Sequence, residues 1–252
     1  MNVAASPSFM KQSFRMKSAL VVLTAILLTM SSTGAQVKVP SSERSRAAVA
    51  RVESRLKQDL SAKGLELGAP VFIRIFKEPA ILEMWVQREK SFELFRTYKV
   101  CTFSGKLGPK LKEGDKQAPE GIYTVSADQM NPNSSYHLSF NLGYPNEFDR
   151  HHGRTGSFLM VHGACASIGC YAMGDDAIEE IWTLCSRALE NGQSAFAVHC
   201  FPFRLTNETL RAHGKNQWIS FWKELLPIYQ EFEEKRVPPQ VVVTNGRYQI
   251  KK

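Results

Sequence analysis

The chain has 252 residues and a net charge of +8, from 32 Lys and Arg against 24 Asp and Glu. No basic stripe interleaved with aromatics stands out, which argues against a nucleic-acid partner. The apolar fraction of 43% supports an ordinary core, and the length suits one main domain with additions.

The N-terminus reads as an export signal. Lys11, Arg15 and Lys17 precede an apolar run from Ala19 to Met30, and no acid occurs before Glu43. Thr33 and Ala35 then stand at the −3 and −1 positions of a small-residue cleavage site. The apolar run is shorter than the roughly 20 residues that cross a bilayer. The expectation is a cleaved signal over 1–35, a periplasmic mature protein, and no stable membrane span afterwards. Cleavage removes three positive charges and leaves about +5.

Residues 41–63 place Val49, Val52, Leu56 and Leu60 on one helical face, and Gly64 ends the pattern. A helical segment over 36–69 follows from this. From Val71 the period shortens: "VFIRIF", "ILEMWVQ" and "SFELFRTYKVCTF" alternate as strands do. A Gly-, Pro- and Lys-rich loop over 104–121 separates them from "IYTVSA". Residues 131–157 are too rich in Asn, Gly, Pro and Ser for regular structure except around Tyr136–Leu142. "FLMVHG" reads as a short buried strand.

A helix follows over 174–192. Asp175 or Asp176 is the expected cap, and Ile178, Ile181, Trp182, Cys185 and Leu189 share its apolar face. "SAFAVHCFPF" gives another strand, and two helices are expected at 206–213 and 216–236. Pro227 should interrupt the second, and these helices with a Pro-punctuated tail after them should make up residues 205–252. The fold class is therefore α+β, mostly β and sandwich- or barrel-like, with peripheral helices at both ends.

The five cysteines are Cys101, Cys165, Cys170, Cys185 and Cys200. In an oxidising compartment this odd count suggests paired cysteines with one thiol left over. The stretch "VHGACASIGC", residues 161–170, concentrates the chemistry. A metal site would draw on His162, Cys165 and Cys170 with His199 and Cys200, but no matching second pair supports it. Nucleophilic catalysis needs a thiolate, a base and backbone N–H groups for the oxyanion. Gly169 permits the tight turn that would expose Cys170 and free the amides around it, and the following helix dipole favours a thiolate.

These residues resemble the signature of the murein L,D-transpeptidase family with a YkuD-type catalytic domain, in its YafK-like branch. "GKLGPKLKEGDKQAPEGIYTV", "NPNSSYHLSFNLGYPNEFDR" and "GRTGSFLMVHG" extend the resemblance over roughly residues 70–204. The resemblance implies Cys170 as a nucleophile forming a thioester and His162 as its general base. The Gly163 carbonyl would orient the imidazole, backbone amides of Gly169 and Cys170 would form the oxyanion hole, and Ser167 would support the turn. It implies peptidoglycan peptide stems as partner, a peptidoglycan-linked lipoprotein as a further one, and no cofactor. The chemistry would be acyl transfer at diaminopimelate, with a hydrolase on the same fold as the alternative. A peptidoglycan-binding protein with Cys170 disulfide-bonded to Cys165 is a third reading.

The sequence departs from the wider family's Ser-His-Gly-Cys-Arg pattern, with Ile168 at the second His and Tyr171 after the Cys. Arg154 is a candidate clamp for a stem carboxylate, or else a solvent-facing loop residue. Tyr136 and His137 line the substrate groove or anchor their loop. His199 is read as a packed strand residue rather than a second imidazole. His151 and His152 are read as solvated.

Overall fold

Residues 71–99 form the antiparallel strands that their alternation predicts: β1 (Val71–Phe76), β2 (Ile81–Arg88) and β3 (Ser91–Lys99). The structure is a computed structural model that describes residues 1–4 and 37–251. The chain divides into two compact units, Met1–Thr33 and Gly34–Lys252. Only residues 1–4 of the first are described, so the export signal lies outside the described residues.

Within the second unit, β1 continues sideways into β10 (Ala195–Phe201), which runs parallel to it, and then into antiparallel β5 (Gly121–Ser126). The resulting sheet has the order β3-β2-β1-β10-β5. A second sheet joins five short strands: β4 (Thr102–Phe103), β6 (Met130–Asn131), β7 (Ser139–Asn141), β8 (Met160–His162) and β9 (Tyr171–Ala172). Its order is β4-β9-β8-β7-β6, with β8 and β9 parallel. The strand orders do not close into a barrel, so of the two expected forms the barrel is not what these strands build.

Helices cover the sheets. In α1 (Glu43–Ser61), Ala48, Val52, Leu56 and Leu60 are buried, and the helix packs on α3 (Asp175–Glu190). Ser42 and Ser45 close a reciprocal cap at the start of α1. The short α2 (Glu147–His151) sits inside the segment whose composition reads as irregular. Near the C-terminus, α4 (Asn207–Ala212) precedes α5 (Ile219–Lys235).

Pro227 does not break α5. Phe221, Trp222, Leu225, Ile228, Tyr229 and Phe232 are buried along the helix on both sides of it. Each such side chain contributes about 1.5–3 kcal/mol on burial, which together exceeds the roughly 3 kcal/mol a mid-helix proline costs. The tail is not irregular either: β11 (Val241–Thr244) and β12 (Arg247–Ile250) form a hairpin across Asn245-Gly246. Tyr248 of this hairpin stacks on Phe148 of α2 with ring centroids 4.2 Å apart.

Candidate active site

Strands β8 and β9 place the two residues of greatest chemical interest. Their parallel register pairs Val161 with Tyr171 and His162 with Ala172. Continued back by one residue it sets Cys170 opposite Met160, one side-chain repeat from His162. Diagonal neighbours of this kind lie roughly 7–8 Å apart at Cα, within reach of long or aromatic side chains. The Met160 N–H donates to Cys170 Sγ at 3.4 Å, and the thiol reaches the Phe158 carbonyl at 3.6 Å.

His162 is buried, and its Nδ1 lies 2.6 Å from the Gly163 carbonyl oxygen. A carbonyl only accepts, so Nδ1 carries the proton and Nε2 is left with its lone pair. Gly163 cannot be replaced without movement. A Cβ there would stand 2.7 Å from Asp175 Oδ1 and 2.8 Å from both His137 Cβ and the Tyr136 carbonyl oxygen.

Asp175 does not cap α3 as the sequence suggests. Gly174 is the cap residue, with no side-chain bond, and Asp175 accepts instead from the Ala164 N–H at 2.7 Å. It thereby fixes the chain just after the His162-Gly163 pair.

The turn before Cys170 is organised by Ser167. Its hydroxyl oxygen accepts from the N–H groups of Gly169 at 3.2 Å and Cys170 at 3.0 Å, and donates to the Cys170 carbonyl at 2.8 Å. Ser104 Oγ donates to the same oxygen at 3.0 Å. The expectation that the Gly169 and Cys170 amides stand free is therefore corrected: both are engaged by Ser167. Gly169 has φ +149°, a conformation that side-chain-bearing residues rarely adopt.

The loop over residues 104–120 roofs this turn. The carboxylate of Asp115 gathers the Lys110 ammonium at 2.6 Å and the N–H groups of Leu111, Lys112 and Gln117. Beneath it Lys77 and Glu120 form an ion pair at 3.0 Å, with both side chains fully buried. Lys77 also donates to the carbonyls of Lys106 and Gly108. Tyr171 OH donates to the Pro119 carbonyl at 2.6 Å, which ties the loop to β9.

Burial pushes the His162 pKa down, opposed by the Gly163 carbonyl. Burial pushes the Cys170 thiol up, opposed by the Met160 amide and the Lys110 charge. Both directions favour a neutral thiol beside a neutral imidazole.

Other expectations resolve as follows. Cys165 is disulfide-bonded to Cys101, so it is unavailable to Cys170. Three thiols remain rather than one: half-buried Cys170 and buried Cys185 and Cys200. The bond ties the loop carrying Ser167 to the segment between β3 and β4.

Arg154 is not solvent-facing, and its guanidinium is already paired inside the protein. Its guanidinium is buried, bonded to Asp149 at 2.8 Å and packed over the rings of Phe148 and Phe221. His199 is buried in β10 with its ring edge-on to Phe72, and burial followed by the Arg74 charge holds its pKa down at about 3. Neither of its ring nitrogens has a hydrogen-bond partner among the described residues. His152 packs tilted against Phe148 and reaches the Gly246 carbonyl, although both it and His151 are exposed. Tyr136 lies against His162, and His137 bonds Glu179 at 2.8 Å. Among the described residues, no group of three or more His, Cys, Asp and Glu is arranged to hold a metal ion.

Sequence reasoning missed the Met160 amide, Asp175 as a loop pin, and the Asp115 cluster. Only the last had a signal, the Gly114-Asp115 pair within the family-like loop.

The model of the YkuD L,D-transpeptidase catalytic domain matches residues 81–194. The Escherichia coli K12 protein named "Putative L,D-transpeptidase YafK" is 44% identical over 186 residues, covering 74% of this chain and 76% of that one. The O157:H7 counterpart of the same name matches to the same extent. Among solved structures, the helical cell shape determining protein Pgp2 of Campylobacter jejuni aligns with a TM-score of 0.43 at 16% identity. That alignment covers 75% of this chain and 80% of Pgp2. With 44% identity sustained over about three quarters of both chains and the domain match spanning the His162–Cys170 segment, the chain belongs to the L,D-transpeptidase family with a YkuD catalytic domain.

Proposed function

We propose that this protein is a cysteine acyltransferase that acts on the peptide stems of peptidoglycan through a Cys170 thioester. The observation that carries the reading is the register of β8 and β9. It brings Cys170 to the strand beside His162, whose Nδ1 is fixed by Gly163 so that Nε2 is the basic atom.

In this reading Nε2 takes the Cys170 proton as sulfur attacks the carbonyl that joins diaminopimelate to the terminal D-Ala of a tetrapeptide. The oxyanion takes the Gly169 and Cys170 amides, so the Ser167 hydroxyl must release them. The imidazolium then gives its proton to the departing D-Ala amine, and the diaminopimelate acyl group remains on sulfur. An amine acceptor attacks the thioester, passes its proton to His162, and restores the thiol. Residues 1–35 would deliver the enzyme to the periplasm.

Hydrolysis is the second reading, favoured by Ile168, which stands 79% exposed where the wider family carries a His. Water then opens the thioester, and the same chemistry would trim D-Ala or release a lipoprotein from diaminopimelate. Purified sacculi treated with the wild type and with Cys170→Ala separate these outcomes by mass spectrometry. Cross-linked or exchanged stems support transfer, shortened stems or freed protein support hydrolysis, and products independent of Cys170 refute both.

A further inference from the structure

Helix α1 lies outside the matched catalytic region, yet it reaches the neighbourhood of the base. Arg44 Nη1 donates to the carbonyls of Ser134 at 2.7 Å and His137 at 2.9 Å, and Ser42 Oγ donates to the Pro132 carbonyl at 2.9 Å. Two helical turns on, Arg51 Nε holds Glu179 of α3 at 3.0 Å, and Glu179 holds His137 Nε2. His137 has φ +66°, a left-handed conformation that costs a non-glycine residue about 1–2 kcal/mol and needs such restraint. Tyr136, the residue before it, packs its ring on the His162 imidazole with centroids 4.7 Å apart and planes tilted by 33°. Tyr136 is 45% exposed while His162 is 2% exposed, so the phenol ring covers the base on its solvent side.

We propose that α1 is part of the catalytic apparatus, with Arg44 and His137 as positioning residues that hold Tyr136 as a shield over the His162 base. The inference rests on the proposed roles of His162 and Cys170. It goes beyond them by assigning a catalytic task to a helix outside the YkuD domain match and to a residue that reaches the base only through Tyr136.

The physical consequence is specific. The ring keeps water from the imidazole, which holds its pKa below the ordinary value. The turn also abuts Gly163, since a Cβ there would meet both Tyr136 and His137 at 2.8 Å. Displacing the turn therefore loosens the carbonyl that fixes Nδ1. The other titratable or charged groups near the base are Cys170 beside β8, Asp175 bound to the Ala164 amide, and the His137–Glu179 pair with Arg51. Lys110 acts on Cys170 from the roofing loop. The variants that test the proposal leave all of these in place, and the only charge that the Arg44 variants remove is that of Arg44 itself, bonded to the His137 carbonyl.

The test is the pH dependence of Cys170 alkylation by iodoacetamide in the full chain, which needs no peptidoglycan substrate. Wild type should show an acid limb that is absent in His162→Ala. Tyr136→Ala should move that limb to higher pH by roughly 0.5–1 unit, because the exposed imidazole regains solvation. Tyr136→Phe, which keeps the ring, should restore the wild-type limb. Arg44→Ala should shift it in the same direction as Tyr136→Ala, and the double variant should shift it no further than Tyr136→Ala alone. Arg44→Gln repeats the measurement if the alanine variant folds poorly, with thermal unfolding as the control.

A limb that stays in place in folded Tyr136→Ala and Arg44 variants overturns this inference while leaving the Cys170–His162 reading standing. Additive shifts also overturn it, because Arg44 would then act by another route. A wild-type profile indistinguishable from that of His162→Ala overturns both.

Discussion

The Met160 amide stands 3.4 Å from the Cys170 sulfur, where a longer β9 would have supplied a carbonyl as its ladder partner. On the other side of β8, the bonds Leu142 N–H to Leu159 O and Gly163 N–H to Leu138 O show which residues face β7. By the alternation of an antiparallel ladder, the Met160 N–H faces β9 instead. The tight turn at Gly169 starts β9 one residue late, and the vacated donor addresses the thiol.

This donor and Lys110 only partly offset the burial that raises the Cys170 pKa, while burial lowers that of His162. The resting pair should therefore be neutral rather than a preformed thiolate–imidazolium. Alkylation of Cys170 is expected to climb mainly above the ordinary thiol pKa of about 8.5. On the proposed mechanism its smaller acid limb should lie below about 6.5, where a protonated His162 could no longer take the Cys170 proton. Full reactivity at pH 5, as from an ion pair, would contradict this.

The cysteines should titrate in three stages. Native protein is expected to react rapidly at one thiol, Cys170, because Cys185 and Cys200 are fully buried. Unfolding without reductant should expose three thiols, and reduction should expose all five cysteines. The Cys101–Cys165 bond closes a 64-residue separation, so Cys101→Ser/Cys165→Ser should lose about 2–4 kcal/mol in denaturant unfolding. Five thiols without reductant would show that the bond does not form.

Gly163→Ala should impair catalysis more than folding. The added methyl meets Asp175, His137 and Tyr136 below 3.0 Å, so the carbonyl that holds His162 Nδ1 must shift. A displacement near 1 Å corresponds to about 10²-fold in rate. Steady-state kinetics on purified sacculi would read this, and an unchanged rate would remove Gly163 from the orienting role.

Arg154→Ala should act on stability. Removing the guanidinium leaves the Asp149 carboxylate buried without its partner, at about 3–5 kcal/mol. Urea unfolding should show the loss, whereas the KM of the remaining folded enzyme should change little. A raised KM with unchanged stability would restore Arg154 as a substrate clamp.

Much of this architecture is legible in the sequence where periodicity is local. The first three strands and the apolar faces of α1 and α3 follow directly from their spacing. The hairpin β11–β12 was also written there, since Asn245-Gly246 between apolar runs is a strong turn signal, but the flanking prolines obscured it. The parallel pairing of β1 with β10 joins residues more than a hundred positions apart, and no local pattern encodes it. Within the site, the His162–Cys170 segment stands out because its residue types are rare together. Arg154 was harder to read, because a side chain's partner is chosen by tertiary placement. Arg154 on a Gly-rich loop looks solvated until Asp149, Phe148 and Phe221 close around it.

The most direct test of the proposed chemistry is to capture the acyl-enzyme. The protein is mixed with a disaccharide-tetrapeptide, quenched in acid, and measured intact by mass spectrometry before digestion. The expected result is a mass gain equal to the stem less its terminal D-Ala, located on the peptide that contains Cys170 and absent from Cys170→Ala. Turnover by Cys170→Ala, or an adduct on any other residue, would contradict the account.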